Sequence, residues 1–286
     1  MKKFTSFSSL ILLFLLFFSS NVIEGQTINN VSGFTSNGTF KEADVLEITV
    51  AFSESVDVNT TGGTPRIALN TSPTTRYANY SGGSGGSTLI FEYTVVAGDS
   101  SSDLAYLATS SLSLNSGTIK ASDDAANATL TLASPGQQNS LSFNKNYVID
   151  ALAPTITSVT STTSDGSYNE TDQVNVTVTF SEAVTLSGGN LVVTLETGSP
   201  DRTVTITSIS DSNTASGTYT VQSGDTSSDL TASGIALSAG SLSDAAGNAM
   251  SSFAIASNLA ASSALVIDTT PATVTNVTSS TTDGVY

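Results

Sequence analysis

The sequence predicts an all-β protein in which two similar β-sandwich domains follow a signal peptide. Three observations support this fold class: a long segment of the chain is repeated, apolar and polar residues alternate within the repeated segments, and the N terminus combines two lysines with a short apolar run. Alternation with a period of two is typical of half-buried strands, and repetition of a whole unit indicates consecutive copies of one domain.

The N terminus has the layout of a secretory signal peptide. Lys2 and Lys3 precede the apolar run LILLFLLFF, and polar residues follow it. We expect a cleaved signal peptide comprising residues 1–25, and hence a secreted, extracellular protein. The apolar run is much shorter than the roughly 20 residues of a membrane-spanning helix, so we expect no membrane insertion.

The composition excludes several classes of partner and of chemistry. The chain contains 24 acidic and 8 basic residues, which gives a formal net charge of −16, and it contains no histidine or cysteine. A chain this acidic repels nucleic acid. Without cysteine or histidine it cannot form disulfides, Ser–His or Cys–His nucleophile systems, or the usual zinc sites. Only carboxylate chemistry remains open.

The repeat is strong enough to define domain boundaries. Residues 27–56 align without a gap on residues 155–184, and later phrases recur in the same order, including GDSSSDL at 98–104 and GDTSSDL at 224–230. The sequence therefore predicts four parts, which are the signal peptide (1–25), repeat 1 (26–153), repeat 2 (154–270) and the start of a third repeat (271–286).

Alternating segments predict the strands of each repeat. Leu46, Ile48, Val50 and Phe52 alternate with less apolar residues, and residues 174–180 show the same pattern. Further strands are predicted at 88–96, 190–196, 202–209 and 217–222. About seven short strands in little more than 100 residues are typical of a β-sandwich of immunoglobulin type. The expected architecture is therefore a tandem pair of immunoglobulin-like β-sandwich domains.

Four phrases of the repeats resemble those of the tandem bacterial immunoglobulin-like repeats of large secreted and surface proteins. These phrases are FSEAV, GDTSSDL, SDAAGN and VIDTTP. Cadherin-like repeats are more distant relatives of this group. The resemblance covers nearly all of the chain after the signal peptide. It implies a non-catalytic role in stalks, adhesion or matrix. The implied partners are neighbouring repeats of the same chain and cell-surface or matrix glycans or proteins.

In such a sandwich, three segments of repeat 1 converge at the junction with repeat 2: the loop before its first long strand, the loop after 88–96, and the end of its last strand. Hard cations such as calcium take 6 to 8 oxygen ligands, which carboxylates at this junction could supply. The arrangement is similar to the calcium junctions of cadherin-like repeats. The candidate ligands of this first junction are Glu42, Asp44, Asp99, Asp103 and Asp150 from repeat 1, and Glu182 and Asp244 from repeat 2.

A second junction would follow repeat 2. Its candidate calcium ligands are Glu170, Asp172, Asp225, Asp229 and Asp268. The alternative for both junctions is that these acids only stabilise tight turns through bonds from their side chains to the backbone.

Paired carboxylates also suggest a glycosidase, but a catalytic pair is normally assembled once in a cleft, whereas these acids recur in both copies. We therefore expect a non-enzymatic stalk, adhesion or spacer region. The alternative is a set of accessory modules within a larger secreted enzyme or carbohydrate-binding protein. A glycan-binding face on a repeat is a third hypothesis, and the absence of tryptophan argues against it.

Overall fold

The computed structural model describes residues 26–285, so the predicted signal peptide and Tyr286 lie outside the described residues. The described residues form strands β1 to β20, one α-helix of four residues and one 3-10 helix of three residues. The predicted all-β class is confirmed. No helix within residues 26–285 is long and apolar enough to cross a membrane.

Repeat 1 contains two sheets. Its strands are β1 (Ile28–Gly33), β2 (Gly38–Phe40), β3 (Val45–Asn59), β4 (Arg66–Leu69), β5 (Arg76–Gly82), β6 (Gly86–Thr94), β7 (Ser100–Ser101), β8 (Leu112–Ser113), β9 (Thr118–Ala121) and β10 (Tyr147–Asp150), with helix α1 (Leu141–Asn144) before β10. The larger sheet has the order β1-β3-β6-β5-β4-β8 with β9 paired to β3, and the smaller has the order β2-β10-β7. β10 pairs in parallel with β2 and antiparallel with β7.

Repeat 2 repeats most of this plan. Its strands are β11 (Ile156–Thr160), β12 (Gly166–Tyr168), β13 (Gln173–Ser187), β14 (Leu191–Leu195), β15 (Arg202–Ile206), β16 (Ser212–Thr220), β17 (Thr226–Ser227), β18 (Ala232–Leu237), β19 (Ser241–Ser243) and β20 (Leu265–Asp268), with the 3-10 helix at Leu259–Ala261. The sheet orders are β11-β13-β16 with β19 paired to β13, β12-β20-β17, and β15-β14-β18. Each repeat therefore ends on a strand, β10 or β20, that pairs with an early and a middle strand of the same repeat.

The alternating apolar residues form the interior, as their period predicts. Leu46, Ile48 and Val50 of β3 are fully buried, as are Val174 and Val176 of β13. Each repeat has its own hydrophobic cluster, and the two clusters share no residue. The free energy gained by burying these side chains therefore stabilises each repeat separately.

The two repeats differ where β5 meets β6. In repeat 1 these strands pair, and the sheet is continuous across them. In the described part of repeat 2 the equivalent strands β15 and β16 belong to different sheets. Phe91 of β6 corresponds to Gly217 of β16, since each lies two residues before a tyrosine that bonds the aspartate of the GDxSSDL phrase. Repeat 2 therefore lacks a large core side chain at this position.

We expect Gly217→Ala to lower the free energy of unfolding of repeat 2 by about 1 to 3 kcal/mol, the usual cost of overpacking a core. A Cβ atom added at Gly217 would lie 2.4 Å from Cγ1 of Val204, too close for the valine to stay in place. Gly234→Ala is the matched control, because no atom lies within 4 Å of its added Cβ. Urea unfolding of both variants measures the difference, and equal stabilities would contradict this account of the site.

Candidate functional site

The first aspartate of each GDxSSDL phrase is buried in a network of charged and polar groups. In repeat 1, Nε of Arg76 donates to Oδ1 of Asp99 at 2.7 Å, and the Tyr93 hydroxyl donates to Oδ2 at 2.8 Å. The backbone N–H of Val96 donates to the same Oδ2 at 3.0 Å. Asp99 is fully buried. Both oxygens of this carboxylate are thus engaged within repeat 1.

Repeat 2 contains the same network with equivalent residues. Nε of Arg202 donates to Oδ1 of Asp225 at 2.8 Å, and the Tyr219 hydroxyl and the backbone N–H of Gln222 donate to Oδ2 at 2.6 and 2.9 Å. Because the network occurs in both copies and lies inside each repeat, we call it the buried clamp, defined by Arg76, Tyr93 and Asp99 in repeat 1 and Arg202, Tyr219 and Asp225 in repeat 2.

The clamp sets the ionisation of its members. Burial alone would raise the pKa of the Asp225 carboxyl, but the bonds from Tyr219, from the Gln222 N–H and from Arg202 together hold that pKa below its ordinary value. Burial and the adjacent carboxylate raise the pKa of Tyr219. Asp225 therefore stays charged and Tyr219 stays protonated, which is the state that the hydrogen bonds of repeat 2 require.

The second aspartate of the phrase has a different environment. Asp103 and Asp229 are exposed. Partial burial raises the pKa of the Asp103 carboxyl, and its backbone carbonyl accepts a bond from Asn70 Nδ2 at 3.3 Å. The two aspartates of one phrase thus differ in role, since one is a buried clamp residue and the other lies on the surface.

The structure brings three of the predicted junction ligands together. One carboxylate oxygen from each of Asp150, Glu182 and Asp244 lies within 4.8 Å of the others. We call these residues the junction cluster. Asp150 comes from repeat 1, whereas Glu182 and Asp244 come from repeat 2, so the cluster exists only where the two repeats meet.

Strand pairing explains how the members of the junction cluster meet. Glu182 lies in β13 between Thr179 and Val184, where the pairing of β13 with β16 shifts register. β19 pairs with β13 immediately afterwards, with Thr185 opposite Ser243, and Asp244 directly follows Ser243. The ladder therefore places the two acids of repeat 2 side by side at the end of repeat 2 that faces repeat 1.

Asn248 joins the junction cluster to both repeats. Its side-chain Nδ2 donates to Oδ2 of Asp244 at 2.8 Å and to the backbone carbonyl of Asp150 at 2.9 Å. Its backbone N–H donates to Oδ1 of Asp244 at 2.8 Å. A second direct contact between the repeats joins Nζ of Lys41 to the carbonyl of Gly247 at 3.2 Å. These bonds fix the side chain of Asp244 and the position of the last strand of repeat 1.

The charges of the junction cluster repel one another. Burial raises the pKa of the Glu182 carboxyl, and the nearby carboxylates of Asp244 and Asp150 raise it further. Asp244 is itself only 8% exposed. A neutralising group among these three carboxylates would remove this repulsion, and an all-oxygen ligand set suits hard cations such as calcium or magnesium.

The other predicted ligands of the first junction lie outside the cluster. Oδ2 of Asp44 accepts the backbone N–H of Lys41 at 2.9 Å, which closes the turn before β3. Glu42 lines a cleft of about 530 Å³ together with Gly98, Ala151 and Gly247. The loops predicted to converge therefore do meet at this end, since the Gly98 N–H also donates to the carbonyl of Ala151 at 2.8 Å.

The predicted ligands of the second junction have corresponding environments. Oδ2 of Asp172 accepts the backbone N–H of Asn169 at 2.9 Å, like Asp44 in repeat 1. Oδ1 of Asp268 accepts the N–H of Thr270 at 2.9 Å, and Glu170 is exposed. Residues 271–285, which follow, contain no strand and are exposed.

Sequence reasoning missed the partners of these acids. Arg76 and Arg202 each lie 23 residues before the clamp aspartate, and Tyr93 and Tyr219 each lie six residues before it. This recurrence of basic and aromatic residues at fixed spacings was a usable signal for the clamp. Asn248 ends the phrase SDAAGN, but its bond to Asp150 depends on how the repeats dock and could not be predicted from that phrase.

No family model matches this chain, and no curated protein matches it either.

Proposed function

We propose that the chain is a non-catalytic repeat region of a secreted or cell-surface protein, built of immunoglobulin-like sandwiches that act as a spacer or adhesion stalk. The contact between the repeats is the observation that carries this proposal, because Asn248 bonds to the Asp150 carbonyl and Lys41 bonds to the Gly247 carbonyl, which joins consecutive copies of one domain. A stalk needs a defined angle between neighbouring domains, and contacts that include charged groups from both sides can set that angle.

The duplicated clamp supports a structural role. Its two copies differ by at most 0.2 Å in their three corresponding distances, and in each copy the aspartate and tyrosine side chains are buried. A catalytic pair is normally assembled once and reaches a cleft. Carboxylates that recur at equivalent buried positions and are fully bonded are suited to holding loops in place.

The junction cluster fits a calcium ion that stiffens the stalk. Calcium lies 2.3 to 2.6 Å from its ligands, so two ligand oxygens on opposite sides of the ion are separated by about 4.8 Å. The oxygens of Asp150, Glu182 and Asp244 meet this limit. When bound, the ion supplies positive charge that offsets the repulsion among the three carboxylates. Water or further carboxylate oxygens would complete its coordination.

Calcium titration of the secreted chain, followed by calorimetry and small-angle X-ray scattering, tests this proposal. We expect one binding event that is lost in the Asp244→Asn variant, and a narrower distribution of interdomain distances when calcium is present. Binding of calcium without any change in scattering would contradict the stiffening role. If the chain binds no calcium and shows one fixed interdomain angle, the calcium part of the proposal is contradicted and the spacer role remains.

A further inference from the structure

The two repeats also differ in an exposed aromatic residue of the large sheet of repeat 1. Tyr77 of β5 is 40% exposed. It directly follows the clamp arginine Arg76, and the residue that follows Arg202 in repeat 2 is Thr203. Repeat 1 therefore presents a large ring where repeat 2 presents a small hydroxyl side chain.

The guanidinium group of Arg66 lies against this ring. The central carbon of the Arg66 guanidinium lies 4.0 Å from the centre of the Tyr77 ring. Nε of Arg66 is fully buried, and no described group bonds to it. Leu69 pairs with the clamp arginine in repeat 1, as Leu195 does in repeat 2. Arg66 lies three residues before Leu69, so its equivalent in repeat 2 is Val192. The stacked pair of arginine and tyrosine thus occurs in repeat 1 alone among the described repeats.

A row of polar residues extends from Arg66 across the same sheet. In register, Arg66 pairs with Asn79, Asn79 with Glu92, and Glu92 with Glu47. Neighbouring positions in such a row are about 5 Å apart. Asn79 and Glu92 are exposed. Asn79 lies on the same face of the sheet as Tyr77, because alternate residues of a strand share a face. The equivalent row of repeat 2 is interrupted between β15 and β16.

We propose that this face of repeat 1, defined by Arg66, Tyr77, Asn79, Glu92 and Glu47 and called the tyrosine face, binds a neutral glycan. The exposed ring can contact the C–H face of a sugar, and the amide and carboxylates beside it can bond to the hydroxyl groups. Two glutamates on the face and a net charge of −16 repel polymers that carry carboxylate or sulfate. Charge repulsion therefore disfavours acidic polymers, and a neutral polymer meets no such barrier.

The tyrosine face gives the adhesion role a partner but does not depend on the junction cluster. Its residues lie in strands β3 to β6 of repeat 1, whereas the calcium proposal requires Glu182 and Asp244 of repeat 2. Glycan binding is therefore expected to continue in the presence of a chelator. This difference separates a failure of one proposal from a failure of the other.

Affinity electrophoresis in native gels tests the proposal. The gels contain hydroxyethylcellulose, laminarin or amylopectin as neutral polymers, and hyaluronate as an acidic one. We expect at least one neutral polymer to retard the chain, with and without chelator, and hyaluronate to have no effect. Migration unchanged by all three neutral polymers, or retardation by hyaluronate alone, would overturn the proposal.

Variants locate the binding face. Tyr77→Thr, which copies repeat 2, is expected to weaken binding about fivefold, as removal of one stacking contact does. Tyr77→Phe keeps the ring and should bind like the original chain, which distinguishes loss of stacking from loss of folding. Phe143→Ala is the matched control, since Phe143 is 60% exposed but lies in helix α1 and its equivalent in repeat 2 is Ala261. Equal loss in Phe143→Ala, or no loss in Tyr77→Thr, would contradict this assignment.

Discussion

Replacing Asp225 with alanine is expected to lower the free energy of unfolding of repeat 2 by about 3 to 5 kcal/mol, the usual cost of removing one partner from a buried ion pair. The variant leaves the Arg202 guanidinium, the Tyr219 hydroxyl and the Gln222 N–H without their common acceptor. Arg202 keeps 25% of its side chain exposed, so water can reach part of the unpaired charge. That access places the expected cost at the lower end of the range.

Asp229→Ala is the matched control for this prediction. It removes the other aspartate of the same GDTSSDL phrase, and Asp229 is exposed. The change in its unfolding free energy is expected to stay within about 0.5 kcal/mol. Calorimetry combined with hydrogen exchange, which assigns each transition to a repeat, measures both variants. Similar losses for the two aspartates would show that the phrase acts as a turn and not through the buried clamp.

The contribution of Asp225 also depends on pH in a defined direction. Its pKa in the folded chain lies below the ordinary value of 3.8. The stabilisation is therefore fully present above that ordinary value and is lost as the pH falls through the lowered folded pKa. The difference in stability between the original chain and Asp225→Ala should accordingly be constant near neutral pH and shrink in acid below about pH 4.

Local pattern predicted the strands in which apolar and polar residues alternate clearly, such as β3, β6 and β13, but it predicted no strand at β4, β5 or β18. The alternation of Val174, Val176 and Val178 predicts β13, and burial of all three follows from the period of two. Pairing between strands that lie far apart in the sequence is harder to predict from the sequence. The alternation of apolar and polar residues does not indicate that β5 pairs with β6 in repeat 1 while the equivalent β15 and β16 of repeat 2 lie in different sheets.

The candidate site was likewise predicted only in part from the sequence. Convergence of three separate segments on the first junction follows from sandwich topology, and Asp150, Glu182 and Asp244 do meet there. Topology assigns a residue to one end of a domain, but it does not say whether its side chain points inward. Asp99 lies at the expected end and points inward because Arg76 and Tyr93 are there to bond it.

Glu182→Gln is expected to change the stability of the two-repeat chain with opposite signs in the absence and presence of calcium. Without calcium, the amide removes one of three repelling charges, so the melting temperature should rise, by an amount equivalent to at most about 1 kcal/mol. The raised pKa of the Glu182 carboxyl shows that the charged form of this group is disfavoured in the folded chain. Replacing it with a neutral amide is therefore expected to raise stability without calcium.

With calcium at about 100 times its dissociation constant, the original chain should gain about 2.7 kcal/mol from binding. Glu182→Gln loses one ligand and one charge and should gain far less, so the order of stability of the two chains inverts. Glu54→Gln is the matched control, because Glu54 occupies the equivalent position in repeat 1 and lies near Gln26, away from Asp150 and Asp244. It makes the same change in net charge but should leave the calcium response intact. An ion bound at Asp150, Glu182 and Asp244 must respond to the loss of a carboxylate. Equal calcium responses in all three chains would therefore place any bound ion elsewhere and would leave the junction held by its hydrogen bonds, such as those of Asn248 and Lys41.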